Sequence, residues 1–183
     1  DRRALGRRAS RIILDMVLRD GFFHADPHPG NLFIEPDGTI GLVDFGMVGT
    51  LSAPVQAQLV AMVVAFASRD AVQLSEALLA FAPPQGNVDR IRLNREVDRL
   101  VRAYTEKPLA EVDMVEIIDG LLDIARSYHL RPPTEISLIG RMLALLDGIG
   151  RALDPGYSMV AVLKPYVETM MRRRFQPDAV WAG

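Results

Sequence analysis

Apolar side chains recur every three or four residues along the first twenty positions, and arginines fill many of the positions between them. The apolar set is Leu5, Ala9, Ile12, Ile13, Met16 and Val17. This spacing is typical of one face of an amphipathic helix, so we predict a helix over residues 2–19. Its arginine-rich face has two interpretations: a solvated surface, or a surface that contacts acidic lipid headgroups or an acidic partner.

The same helical spacing returns after residue 51 and continues almost to the end of the chain. Breaks rich in proline and glycine divide it into six predicted helices, over residues 52–68, 70–81, 88–105, 113–128, 135–153 and 158–175. The third carries one apolar side, formed by Ile91, Val97, Leu100, Val101 and Tyr104. The fifth is apolar nearly all round, which predicts a central buried helix.

Residues 21–49 follow a different pattern, with short apolar runs between turn residues. Phe22 and Phe23 begin a short extended segment. Two predicted strands, 32–34 and 40–43, flank a Pro-Asp-Gly turn at 36–38. The sequence therefore predicts a β-hairpin with a polar loop before it and Asp-Phe-Gly after it.

Composition and charge exclude several classes of protein. Hydrophobic residues make up 49% of the 183 positions and charged residues 24%, which argues against a disordered chain. There is no cysteine, so disulfides and thiolate chemistry are excluded. The net charge of −2 argues against a nucleic-acid-binding role. The longest apolar run, 59–67, is far shorter than the ~20 residues of a membrane-spanning helix.

The polar residues that carry chemistry concentrate before and after the hairpin: His24, Asp26, His28, Asn31 and Asp44. Phosphoryl transfer needs Mg²⁺ on the phosphates, oxygen ligands for the metal and a carboxylate that orients the nucleophile. Asn31 lies five residues after Asp26, and Asp44 lies eighteen residues after it. Protein kinases show the same order, H-R-D-x-x-x-x-N followed by D-F-G. The sequence therefore predicts a site for phosphoryl transfer.

Residues 22–32, FFHADPHPGNL, together with the DFGM of residues 44–47, resemble the UbiB/AarF/ADCK family of atypical kinases. The motif covers residues 22–51. The resemblance implies a mainly α (α+β) fold, namely a protein-kinase-like C-terminal lobe whose helical bundle carries the small hairpin. It also implies Mg²⁺ and ATP or ADP as cofactors, and ATPase or small-molecule kinase activity that supports isoprenoid quinone (ubiquinone) biosynthesis.

The resemblance also assigns roles to individual residues. Asp26 matches the catalytic aspartate, and Asn31 and Asp44 match the two metal ligands, which also contact the nucleotide. Phe33 matches the residue beneath the adenine, although an ordinary core position is an equal alternative. His24 matches the histidine that supports the loop.

His28 is typical of the family, and we expect it to support the loop by a hydrogen bond. Two departures from the protein-kinase pattern are Ala25, where an arginine is usual, and the absence of any lysine from the loop. Neither a phosphate-regulated activation loop nor a protein-substrate platform is expected. We expect residues 1–183 to form a single C-terminal lobe, with the N-terminal lobe encoded upstream.

The resemblance further implies partners and a location. The expected partners are the nucleotide, quinone-pathway enzymes or lipid precursors, and a membrane surface. The expected location is a bacterial cytoplasm, at the periphery of the inner membrane.

Three alternatives to a UbiB-like kinase stay open at this point. The chain is compatible with a nucleotide-gated scaffold that does not catalyse a reaction, and with a small-molecule kinase of the aminoglycoside or choline kinase type. An iron site formed by His24, Asp26 and His129 would mimic the two-histidine, one-carboxylate triad.

Overall fold

A computed structural model describes residues 1–108 and 111–175, with side chains described as far as residue 169. The elements, in chain order, are α1 (Arg2–Asp15), which continues into a π-helical turn (Met16–Asp20), β1 (Phe22–His24), a 3₁₀ turn (Pro29–Asn31), β2 (Leu32–Ile34), β3 (Ile40–Leu42), β4 (Val48–Thr50), α2 (Ala53–Ala67), α3 (Ala71–Phe81), α4 (Arg90–Thr105), α5 (Met114–Ser127), α6 (Glu135–Leu153) and α7 (Met159–Phe175). The mainly helical prediction with a small hairpin is confirmed.

Aspartate side chains begin four of the helices by accepting hydrogen bonds from backbone N–H groups of the first turn: Asp1, Asp70, Asp89 and Asp113. These N–H groups have no partner within their own helix, so each cap contributes about 1 kcal/mol. Ser52, which begins the helix predicted over residues 52–68, lies at the N-cap of α2 but makes no such bond with its side chain. There Pro54 lies in the first turn, where its fixed φ suits the start of a helix.

The helices surround two apolar cores. The first is formed mainly by α1, α6 and α7, with Phe23 of β1 at its centre and fully buried. The second is formed by α2 to α5 around Leu74, Leu93 and Val97, all fully buried. Among the described residues, no helix is long and apolar enough to cross a membrane.

Ile91 was predicted on the buried side of α4, and this was wrong. Its side chain is 69% exposed, whereas Leu93, Val97 and Val101 form the buried stripe. Ile91 lies in the first turn of α4, beyond the edge of the second core. The correct stripe runs 93, 97, 101, which is the i, i+4 spacing of one helix face.

The expectation that α6 is buried nearly all round was also wrong. Its buried apolar face is formed by Ile139, Met142 and Leu146. Ser137, Arg141, Ala144 and Gly148 form an exposed stripe along the helix. Several other apolar residues of α6 are only half-buried, so the helix has a solvent-exposed face as well as a face in the core.

Two small antiparallel sheets lie before the helical bundle. The predicted hairpin pairs β2 with β3, with Phe33 opposite Gly41. A second pair was missed by the sequence reasoning: β4 pairs with β1, and Phe23 lies opposite Gly49. Gly49 leaves room for the Phe23 ring, which a Cβ at that position would strike.

Candidate functional site

The register of the two small sheets brings the predicted site residues into one region. The polar loop follows β1, and Asp44 lies between β3 and β4. The Val43 amide donates to the Asn31 carbonyl at 3.0 Å, and the Ala25 amide donates to the Met47 carbonyl at 3.0 Å. The loop at 25–31 and the segment at 43–47 are therefore tied together along their backbones.

His24 is fully buried and joins these two segments through its side chain. Its Nδ1 accepts a hydrogen bond from the Asp26 amide at 3.1 Å. Since Nδ1 accepts, the proton of the neutral ring lies on Nε2, which donates to the Val43 carbonyl at 3.0 Å. The ring also packs against Phe45, with 5.0 Å between the ring centroids. One side chain thus connects the loop of Asp26 to the segment that carries Asp44.

Asn31 is buried at the end of the loop, next to the hairpin. Its Nδ2 donates to the carbonyl of Asp26 at 3.1 Å, which fixes the orientation of the amide. The hydrogen bond uses the nitrogen end of the amide, and the oxygen end is the atom that ligates cations.

His28 stabilises the turn between Asp26 and Asn31. Its Nδ1 accepts from the Gly30 amide at 3.0 Å, so the side chain caps the short 3₁₀ turn. Its Nε2 lies 4.0 Å from the Asp26 carboxylate. His28 therefore contacts both the backbone of the loop and its acidic group.

Asp44 is exposed and adopts a left-handed backbone conformation, with φ of 55°. Its Oδ1 accepts from the Gly46 amide at 3.3 Å. Non-glycine residues seldom have positive φ, although aspartate tolerates it better than most, and such residues cluster at functional sites. Here the conformation turns the chain between β3 and β4 and leaves the carboxylate at the surface.

Arg141 was missed by the sequence reasoning, yet it contacts the central carboxylate of the site. Its Nη2 lies 3.3 Å from Oδ1 of Asp26, although the two residues are 115 positions apart. Arg141 belongs to the exposed stripe of α6. The one signal in the sequence was an arginine in the middle of a helix, flanked on both sides by apolar residues.

The surface around the site is unusually apolar. Phe33, predicted to lie beneath adenine, is 57% exposed, and Ile34, Val43, Phe45 and Met47 are also exposed. An equal alternative for Phe33 was an ordinary core position, and its exposure excludes that. Exposed apolar side chains grouped in this way are typical of a surface that binds a ligand or another part of a protein.

The donor atoms near the site fit Mg²⁺ better than iron. Mg²⁺ is commonly bound by one or two protein oxygens together with substrate phosphates and waters, and Asn31 and Asp44 offer such oxygens. In the described ranges, no three His, Cys, Asp or Glu side chains cluster as a metal site. Both ring nitrogens of His24 are engaged in hydrogen bonds, and His129 lies in an exposed turn after α5. The iron triad is therefore excluded.

Two family models match this chain. The ABC1 atypical kinase-like domain matches residues 1–78, and the UbiB helical domain matches residues 97–158. A probable protein kinase UbiB of Aeromonas salmonicida is 31% identical over 97% of this chain and 33% of its own length. One from Xanthomonas campestris is 31% identical over 98% of this chain and 33% of its own length.

An uncharacterized protein of Synechocystis is also 31% identical, over 93% of this chain and 29% of its own length. The chain thus spans about a third of the length of the curated relatives that it matches. The first match covers α1, the two small sheets, α2 and most of α3. The second covers the end of α4, α5 and α6. The chain belongs to the UbiB family of ABC1 atypical kinase-like proteins.

Proposed function

We propose that this chain supplies the metal-binding and phosphate-facing half of a site for Mg²⁺-dependent transfer of a phosphoryl group from ATP. The observation that carries the proposal is the double link between the two loops, through the Asn31–Val43 backbone pair and the buried ring of His24. It holds Asp26, Asn31 and Asp44 in one region, and their order along the chain is that of the matching residues in protein kinases.

Each residue has a distinct task in this proposal. Asn31 and Asp44 hold Mg²⁺, which neutralises the phosphate charge when it is bound. Asp26 orients the attacking hydroxyl or water and accepts its proton. His24 and His28 keep the loop in place, and Phe33 offers its exposed ring to the adenine. Catalysis of this kind depends on positioning and electrostatics more than on covalent chemistry.

Arg141 completes the set as a positioning residue that acts through Asp26. The loop contains no lysine, so the cation that pairs with Asp26 comes from outside the loop. Arg141 brings a guanidinium within 3.3 Å of the Asp26 carboxylate from α6. The Asp26 carboxylate is 24% exposed and is contacted at Oδ1, so the pair holds this carboxylate in one orientation at the surface of the site.

The biological role in this proposal follows the relatives, which are named as probable protein kinases UbiB. We propose ATP hydrolysis or small-molecule phosphorylation in support of isoprenoid quinone biosynthesis, with quinone-pathway enzymes or lipid precursors as partners. The exposed arginines of α1 are a candidate surface for acidic lipid headgroups at the inner membrane. Two of them, Arg3 and Arg7, already lie within 4 Å of Asp154, which leaves less charge for lipid.

A second function, a nucleotide-gated scaffold without catalysis, is favoured by one observation. The carboxylate of Asp26 is already ion-paired with Arg141, so one of its oxygens is engaged by a structural contact. In the scaffold, Asp26→Asn would leave both ATP hydrolysis and cellular function intact. In the enzyme, the same substitution abolishes turnover while the nucleotide still binds.

The decisive experiment is a titration of Mg·ATP into the intact protein and its Asp44→Asn variant. We expect the affinity of the variant to fall roughly tenfold or more, because metal stabilisation of phosphate charge is worth several kcal/mol. Asp37→Asn is the matched control, since Asp37 is an exposed aspartate in the hairpin turn whose carboxylate accepts hydrogen bonds from Thr39. Equal affinity of the Asp44 variant and the unmodified protein would overturn the metal assignment.

A further inference from the structure

We propose that the cavity between the two helical cores binds a single-chain amphiphile, with its apolar chain inside and an anionic head group at the rim. The cavity has a volume of about 540 Å³ and lies among α2, α5, α6 and α7. Its walls are almost entirely aliphatic, and include Leu59, Val63, Ile118, Leu122, Leu143 and Leu163. The site is separate from the proposed nucleotide site.

The size of this cavity is that of a ligand site and not of a packing defect. Protein interiors contain few voids larger than one water molecule. An engineered apolar cavity of roughly 150 Å³ already binds benzene, and small-molecule pockets span roughly 300–1,000 Å³. If each methylene group is allowed the volume of one water molecule in the liquid, ~30 Å³, a chain of roughly a dozen carbons fits inside this cavity.

The cavity exists because the two cores meet only in part. The first core is built on α1, α6 and α7, and the second on α2 to α5. Only Val55 and Leu59, both on α2, are partly buried residues that pack against both cores. Direct contacts also join α5 to α6 and α2 to α7, and residues of all four helices line the cavity that remains between the cores.

Positive charge collects at one part of the rim. Arg69 donates to the carbonyl of Thr105 at 3.1 Å, and the ammonium of Lys107 lies 4.9 Å from the centre of the Tyr104 ring. All four residues line the cavity, so the two cations are neighbours at the end of α4. Lys107 also lies 4.0 Å from Glu116, which leaves room for an anion to compete at an exposed pair.

A third cation, Lys164 of α7, also lines the cavity, so both lysines of this chain lie there. Lys164 lies 4.0 Å from Glu168, the one acidic residue among the lining side chains. The three rim cations outnumber the two carboxylates that pair with them, Glu116 and Glu168, so the balance is positive. A carboxylate or phosphate head is therefore the group that the rim recognises.

An alkyl chain suits the interior better than a peptide segment does. A peptide brings backbone N–H and C=O groups, which cost free energy when buried without hydrogen-bond partners. The lining residues offer mostly aliphatic side chains and few polar partners for such groups. A methylene chain brings no polar group, and its head group remains at the cationic rim.

The test uses three probes with the same twelve-carbon chain, dodecanoate, dodecyl phosphate and dodecanol, titrated by calorimetry below their aggregation concentrations. We expect saturable binding of one molecule of either anion, with the tighter anion identifying the head group. Charge reversal in the double variant Arg69→Glu, Lys107→Glu should weaken both anions roughly tenfold and leave dodecanol unchanged. Arg99→Glu is the control, since Arg99 is 75% exposed on α4 and does not line the cavity.

A second pair of variants tests the interior. Val63→Trp fills the cavity and should abolish binding of all three probes, and Ile118→Trp does the same from α5 if the first variant does not fold. Absence of saturable binding, or binding that survives in a folded cavity-filling variant, would overturn the proposal. Equal loss of dodecanol and the anions on charge reversal would overturn the assignment of the head group. Loss of nucleotide binding in Asp44→Asn has no bearing on this site.

Discussion

At the scale of single residues, the site depends on a local motif and on one distant cation. The spacing of His24, Asp26, Asn31 and Asp44 was enough to predict that they share a region, because a tight hairpin between them permits only a few arrangements. Arg141 could not be predicted in the same way. Its contact with Asp26 depends on how α6 packs against the sheets, and no local pattern encodes that packing.

The role of Arg141 leads to a kinetic prediction. Arg141→Ala should lower kcat roughly tenfold or more, since a small displacement of a catalytic group is costly. The KM for ATP should change much less, because the metal ligands remain. Arg141→Lys should restore part of kcat, as it keeps the charge but loses the planar fork. The measurement is steady-state turnover by the intact protein.

Arg126→Ala provides the control, because Arg126 is 73% exposed on α5 and pairs with Asp123 at the surface. Its kinetics should match those of the unmodified protein. If Arg141→Ala raised KM and left kcat unchanged, Arg141 would be a binding residue for the nucleotide and not a positioning residue for Asp26.

At the scale of elements, the helices were predictable because their caps and apolar spacing are local. The capping residues Asp70, Asp89 and Asp113 lie at the predicted first residue of their helices or next to it. The β1–β4 pair was not predictable, since the two strands lie on either side of the hairpin and no turn signal joins them, whereas the Pro-Asp-Gly turn joins β2 to β3. Its pairing is decided by Phe23, which needs the space above Gly49.

Two glycines of α6 allow a test of how closely this helix is packed. A Cβ at Gly150 would strike the ring of Tyr157, whereas one at Gly148 would meet no neighbouring atom within 4 Å. Gly150→Ala should lower the free energy of unfolding by about 1–3 kcal/mol, through overpacking. Gly148→Ala should raise it by about 0.5–1 kcal/mol, since alanine loses less entropy in a helix.

Urea unfolding followed by circular dichroism measures both changes, and each variant is the control for the other. The two substitutions have the same chemistry and lie in the same helix, two residues apart. A change of the same sign in both would mean that helix propensity outweighs the contact with Tyr157, contrary to the close packing described for α6.

At the scale of the whole molecule, hydrogen bonds join the first helix, α1, to the last helix, α7, and to the residues just before it. The buried hydroxyl of Ser10 on α1 lies 2.7 Å from the hydroxyl of Tyr157, just before α7. The Tyr166 hydroxyl on α7 donates to the carbonyl of Arg11 at 3.0 Å. Contacts between positions about 150 residues apart close the first core, and sequence periodicity alone could not reveal them.

Tyr166 makes this closure sensitive to high pH. Burial, reinforced by the nearby Asp15 carboxylate, raises the pKa of Tyr166 from 10.0 to about 12. Because the folded value lies above the unfolded one, the unfolded chain loses this proton first as pH rises. The contribution of Tyr166 to stability is therefore complete below about pH 10 and is lost between about pH 10 and 12.

Tyr166→Phe removes this proton, so its free energy of unfolding should fall less steeply across that interval than in the unmodified protein. The remaining slope belongs to Tyr104, Tyr128 and Tyr157, since burial raises the pKa of each of them too. Asp15→Asn keeps the phenol but removes a charge that opposes ionisation, so the loss should then begin and end at lower pH. Urea unfolding at several pH values measures these slopes, and identical slopes in all three proteins would show that Tyr166 ionises as it does in the unfolded chain.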